Sequence, residues 1–286
     1  MFSLFCFQDL DTFVSADSLE AAILAVSVVS RAVDRIVLSQ GNANAFCLVR
    51  PPGHHAGYVG ATAKCGQNGF CFLNNVVLGI THARLAWGLQ RVAVIDIDVH
   101  YGNGTAELLR SDDQAFFASV HLKHDDFFPS DACIGPDIIS PLEVSIGLKP
   151  LGYRKNTDNV AGLDGADPTK TLKAATKSVP VYCGSKGFRA ALDQHVLPAC
   201  RKFDPDIIFI SAGFDGLATD PLGSDLGLCP EDYYWITRKI VQLSSECCSG
   251  RVISVMEGGY DTVSARGRSC GLATAVERHV EALMEL

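Results

Sequence analysis

Five short runs of aliphatic and β-branched residues punctuate this 286-residue chain, at Ala45–Arg50, Arg91–Val99, Ala115–His121, Asp206–Ser211 and Arg251–Met256. Each is apolar at consecutive positions, so each reads as a strand buried on both faces. Between them lie stretches with helical spacing: Ser18–Leu38, Leu73–Leu89, Thr105–Leu109, Phe188–Phe203, Glu231–Glu246 and a C-terminal helix from about Val263. A strand buried on two sides needs cover above and below, and alternating helices supply it. The pattern predicts an α/β fold: a single domain on a mostly parallel β-sheet with helices on both faces. No repeat or low-complexity linker divides the chain, so one domain over 1–286 is expected. Ser130–Ser178 breaks the pattern, being rich in Gly, Pro, Asp and Lys with weak periodicity. A connection that long is expected to be an irregular, functional insertion.

Composition removes several classes. A chain 48% hydrophobic and 20% charged is globular material, not a disordered segment. Its net charge of −8 argues against broad nucleic-acid binding, which favours a basic surface. No apolar run approaches the roughly 18 residues of a membrane span. The opening "MFSLFCFQDLD" lacks a basic segment and soon turns acidic, unlike a secretory leader. Eleven cysteines occur without CxxC spacing, which suits reduced, mostly buried thiols. The expectation is an intracellular protein, in nucleus, cytoplasm or both, with no membrane and no direct nucleic-acid partner.

The polar residues of interest fall where the strands end. In open parallel sheets ligands bind beyond the carboxyl ends of the strands. The first run ends in "RPPGHHAG", with His54 and His55, and the second in "DIDVHYGNGT", with Asp96, Asp98 and His100. The third ends at His121, the fourth in "SAGFDG" with Asp215, and the fifth in "MEGGYD" with Tyr260. Asp98, His100 and Asp215 would form an N/O ligand set of three that leaves positions open, as in catalytic metal sites. The DxDxH motif alone is explained equally well by a capped, salt-bridged strand end. The tandem histidines tilt the balance, because imidazoles beside an activated water can act as base and acid. Asp96 can orient one ring and Asn103 the other. A full carboxylate raises basicity more than a neutral amide, so the Asp96 partner, taken as His54, should hold its proton tightly and leave His55 the better base. Tyr260 after a diglycine can donate to a developing oxyanion.

Jointly, "RPPGHHA", "GFCFLNN", "DIDVHYGNGT", "DFFP", "SAGFDG…DPLG" and "EGGYD" resemble the arginase/deacetylase superfamily. Within it the chain is similar to the class II type of zinc-dependent histone deacetylases and to acetylpolyamine amidohydrolases. The resemblance implies Asp98, His100 and Asp215 as zinc ligands (iron(II) being an alternative), His54 and His55 as the catalytic pair, and Tyr260 as the transition-state tyrosine. It further implies a substrate tunnel of Gly69, Phe70, Phe128 and Leu222, with Asp11 on the rim. A structural potassium ion is implied at Asp96, Asp98, His100, Ser119 and Val120. Three departures stand out. The family carries a strand and helices ahead of where this chain starts, so an N-terminal strand of the sheet is expected to be missing. Tyr101 replaces a second histidine common in relatives, and the 130–178 segment lacks the usual Gly-rich pattern.

The implied activity is hydrolysis of acetyl-lysine amides in histones or other proteins, with histone tails as substrate partners and a multiprotein complex as setting. Acetylated polyamines are the alternative substrate; Leu222, where an acidic side chain would attract a polyamine, points away from them. A catalytically silent scaffold is the alternative from another class.

Overall fold

The computed structural model describes residues 6–7, 11–39, 43–58, 67–130, 134, 136–150, 181–263 and 270–285. At its centre is an eight-stranded sheet whose strands are β3 (Ala45–Cys47), β4 (Val92–Asp96), β5 (Ala115–Leu122), β6 (Ile138–Ile139), β7 (Glu143–Lys149), β8 (Val181–Tyr182), β9 (Ile207–Ala212) and β10 (Val252–Met256). They run in the order β3-β10-β9-β4-β5-β7-β6, with β8 pairing β7, and every pairing except β6 with β7 is parallel. A separate antiparallel hairpin joins β1 (Cys6–Phe7) to β2 (Phe13–Val14).

The central strands explain why their sequences are apolar at every position. Val92 and Val94 of β4 and Ile207 and Phe209 of β9 enter one core, while Ala93, Ile95, Ile208 and Ile210 enter the other. The two-residue period thus serves two cores at once. Helices α1 (Ser18–Leu38), α2 (Asn75–Trp87) and α3 (Asn103–Leu109) contribute to the first core. The second is covered by α4 (Ser185–Ala191), α5 (Leu197–Phe203), α6 (Pro230–Cys247) and α7 (Gly271–Met284).

Several sequence expectations need correction at the ends of elements. The second helix starts at Asn75 and not Leu73, because the Asn74 side chain caps it by accepting from the Val77 N–H at 3.0 Å. It stops at Gly88, whose φ of 69° closes the last turn. The helix expected over Phe188–Phe203 begins at Ser185 and widens into a π turn at Leu192–Val196, just ahead of Pro198, which has no N–H for the helical ladder. The C-terminal helix begins at Gly271, not near Val263. The first strand ends at Cys47, three residues short, and the second at Asp96, so Asp98 and His100 lie on the turn beyond it. The described part of 130–178 is not irregular: β6 and β7 lie within it, and β7 is buried along Val144–Leu148. The remainder of that stretch, 131–133, 135 and 151–178, falls outside the described residues. Among the described residues β3 has a neighbour on one side only, β10.

Candidate active site

Where β4 and β9 end, the chain reverses the chemistry of its core. Asp96, Asp98, Asp215 and Glu257 are all at most 1% exposed, with His54 and His55 at 2% and 3%. Burying one unpaired carboxylate costs several kcal/mol, so four together require cations and directed donors. The backbone supplies part of these. Asp96 Oδ1 accepts from Asp98 N–H (3.1 Å), Asp98 Oδ1 from His100 N–H (2.7 Å), and Asp98 Oδ2 from Gly258 N–H (2.9 Å). Asp215 Oδ1 accepts from Val99 N–H at 3.1 Å.

Asp98, His100 and Asp215 are brought together. His100 Nδ1 lies 3.0 Å from Asp98 Oδ1 and 3.2 Å from Asp215 Oδ2. Only the first contact has hydrogen-bond geometry, so among the described residues the buried Asp215 Oδ2 keeps its charge contact with His100 but has no hydrogen-bond partner. Bonds of about 2.0–2.2 Å to a tetrahedral ion place ligand atoms a little over 3 Å apart, so the donor set fits such an ion. Among the described residues this is the one cluster of three His, Cys, Asp or Glu side chains whose ligand atoms could converge on a metal ion. Burial opposes protonation of His100, yet Asp215 and Asp98 outweigh it and push the imidazole up to about 9.

The two adjacent histidines face different partners. His54 Nδ1–H donates to Asp96 Oδ2 at 2.9 Å, and His55 Nδ1–H to Asn103 Oδ1 at 2.6 Å. Burial works against a charged His54, but Asp98 and Asp96 hold its pKa well above the ordinary value. Burial, reinforced by His54 and His100, holds His55 well below it. The rings lie 4.0 Å apart. Their backbone is fixed from the far side: Glu257 accepts from Gly53 N–H (2.7 Å) and His54 N–H (3.2 Å), and Ser211 Oγ donates to it at 3.1 Å. Burial brings Glu257 up to about 7.

A cavity of about 240 Å³ opens from this cluster, lined by Asp11, Gly69, Phe70, Phe127, Phe128, Leu222 and Tyr260 as well as the histidines and acids. Phe128 stands edge-on to His55 at 4.8 Å, and Phe70 edge-on to Tyr260 at 5.8 Å. Gly69 has to be glycine: its φ is +49°, and a Cβ would sit 2.3 Å from the His55 ring. Gly258 is equally constrained, since a Cβ there would lie 2.0 Å from Asp215 Oδ2. Leu222 is half-exposed at the mouth, and Asp11 accepts from Thr12 Oγ1 there. Burial and the Asp215 carboxylate push the Tyr260 phenol far above its ordinary range, against the opposing pull of Arg50, so it stays a proton donor. Of the residues assigned to a potassium site, Asp96 and Ser119 are register partners on β4 and β5, and Ser119 Oγ lies 3.0 Å from His121 Nδ1.

Sequence reasoning missed four neighbours of this site. Phe127 stacks flat on His100 (4.7 Å, 5° between planes), although only the second phenylalanine of "DFFP" was singled out. Pro52 joins the lining. Glu257 stood unremarked in "MEGGYD", where an acid directly after an apolar strand was the available signal. Arg50 bonds the Glu257 carbonyl and lies 5.2 Å from the Tyr260 ring centre.

Comparisons with known proteins agree on the family. The family described as Histone deacetylase domain matches residues 2–276. The chain is 38% identical over 278 residues to Type-2 histone deacetylase 2 of Dictyostelium discoideum, covering 96% of this chain and 14% of that protein. It is 35% identical over 254 residues to Histone deacetylase 8 of Arabidopsis thaliana, covering 89% of this chain and 59% of that one. The crystal structure of the HDA15 HD domain superposes with a TM-score of 0.72 at 27% identity, covering 98% of this chain and 67% of that one. The chain thus spans between a seventh and three fifths of the length of these two curated relatives.

Proposed function

We propose that this chain, which belongs to the histone deacetylase family, hydrolyses the side-chain amide of acetyl-lysine in proteins. The observation that supports it most is the buried Asp215 Oδ2, which has no hydrogen-bond partner, beside Asp98 and His100 at the foot of a cavity walled by phenylalanines. Asp98, His100 and Asp215 would hold a divalent ion, which would supply Lewis acidity to polarise a carbonyl and lower the pKa of water. Zinc suits the N/O set, with iron(II) as the alternative.

The chain's own residues carry the rest. Phe70, Phe128 and Gly69 line a passage that admits an unbranched, apolar lysine stem and excludes bulk water. The Tyr260 hydroxyl donates to the carbonyl oxygen, most strongly as negative charge builds on it. His55, neutral because burial, His54 and His100 depress its pKa, takes a proton from the attacking water. The same proton passes to the amine nitrogen as the C–N bond breaks, giving acetate and free lysine. His54 stays protonated against Asp96 and contributes positive charge beside the oxyanion. A potassium ion at Asp96 and Ser119 would brace the turn carrying Asp98 and His100.

Leu222 at the mouth favours a protein substrate such as a histone tail over an acetylated polyamine, because leucine offers a cation no attraction. Asp11 can accept backbone N–H groups of an extended peptide at the rim. The test compares kcat/KM of the metal-loaded protein on an acetyl-lysine peptide and on N-acetylputrescine. Preference for the peptide is expected; preference for the polyamine would reassign the substrate, and turnover of neither would remove the enzymatic reading.

A further inference from the structure

One buried carboxylate ties the mouth of the cavity to its phenol. Asp220 is 2% exposed, yet it lies within the surface turn that carries Leu222. Its Oδ1 accepts from Leu222 N–H at 2.9 Å. Its Oδ2 reaches forty residues along the chain, accepting from Tyr260 N–H at 2.7 Å and Asp261 N–H at 3.2 Å. The brace is reciprocal: Asp261 Oδ2 accepts from Thr219 Oγ1 (2.5 Å) and from Gly271 N–H (3.1 Å) at the start of α7. The phenol needs such bracing. It follows two glycines, one at φ +127°, and no strand or helix holds residues 257–263. Upstream, Gly258 N–H is held by Asp98; at Tyr260 itself, Asp220 holds the backbone and Arg50 faces the ring.

We propose that Asp220 is a positioning residue that couples the rim at Leu222 to the placement of the Tyr260 hydroxyl. This rests on the reading of Tyr260 as the oxyanion donor. The chemistry of a carboxylate is what the coupling requires. Both oxygens accept, so both loops are held at once; an amide has one acceptor and one donor end and can hold only one of them. Asp220→Asn therefore separates the loops without removing volume. A phenol displaced by even an ångström loses much of its effect on the transition state.

Two measurements on the full, metal-loaded chain test this. The first is hydrogen–deuterium exchange, which needs no turnover. Asp220→Asn should speed exchange in both 217–226 and 257–263, with other segments unchanged. Faster exchange in 217–226 alone overturns the coupling, whatever the enzyme's substrate. The second is a double-mutant cycle on kcat with the acetyl-lysine peptide. Asp220→Asn should lower kcat by roughly ten- to a hundredfold in the wild-type background with little change in KM, and by less than about threefold in Tyr260→Phe. Equal losses in the two backgrounds would mean that Asp220 acts on overall structure and not through the phenol. Absence of turnover in the wild-type chain would count against the deacetylase reading, while the exchange result would still decide the coupling. If Asp220→Asn does not fold, Asp220→Glu, which keeps the charge but changes the reach, takes its place with the same signatures at smaller amplitude.

Discussion

Two regions of the molecule that bury imidazoles do not treat them alike. On the inner face of α7, His279 is fully enclosed, with Nδ1 2.6 Å from Thr237 Oγ1 and Nε2 2.8 Å from Ser254 Oγ. Every polar atom of that ring is answered by a neutral hydroxyl, and burial pushes its pKa down to about 3. At the carboxyl edge of the sheet, His54 and His100 face carboxylates, their pKa values rise, and one buried carboxylate oxygen has no hydrogen-bond partner. Burial of histidine is common to both regions. What separates them is satisfaction: the first is closed, the second remains open to a cation.

The sharpest way to break this comparison is to remove a ligand. Asp215→Ala is expected to abolish metal binding and to reduce turnover to background, read by elemental analysis and an acetyl-lysine assay on one sample. If that variant keeps both, the carboxyl edge is another satisfied core. The histidine pair comes next. His55→Ala should lower kcat by roughly 10³-fold and His54→Ala by about tenfold less, both retaining metal. Equal losses, or the reverse order, would exchange the assigned roles. With the intact pair, activity should fall on the acid side as His55 protonates and on the alkaline side as His54 loses its proton, as two apparent values of a coupled pair. Tyr260→Phe should reduce turnover by roughly 100-fold with metal content unchanged, about 3 kcal/mol of transition-state stabilisation. Wild-type turnover in that variant would make the phenol a packing group.

The closed region gives the smallest effect and no loss of chemistry. The folded state keeps His279 neutral down to about pH 3, while the unfolded chain takes up the proton near 6.5. The unfolded state thus binds more protons between those values, and stability falls as pH drops through that window. His279→Gln should cost on the order of 1–2 kcal/mol at pH 7, from the lost hydrogen bonds, and should flatten the acid decline. Denaturant titrations from pH 7 to 4 measure both; turnover per folded molecule should stay at the wild-type level. A fall in turnover would tie α7 to the site more closely than the contacts indicate.

These contrasts also mark what was legible in the sequence. The central strands were readable because Val92–Ile95 and Ile207–Ile210 are apolar at every position, a pattern that only a two-faced burial explains. The ligand trio and the tandem histidines were readable because each sits directly after such a run. β7 was not, because its sequence "EVSIGLK" mixes polar residues and a glycine, and because its partners lie on β5 and β6. Glu257, Arg50 and Asp220 were missed for a different reason. Each has partners forty to more than two hundred residues away along the chain, a relation that no local pattern carries.

The account turns on the Asp215 oxygen that lacks a hydrogen bond and on its two neighbours, Asp98 and His100. Elemental analysis of the freshly purified, folded chain tests it most directly. One equivalent of a divalent transition metal per chain, zinc for preference, is the predicted result. Folded protein with no stoichiometric metal, and none taken up on addition of zinc, would contradict it.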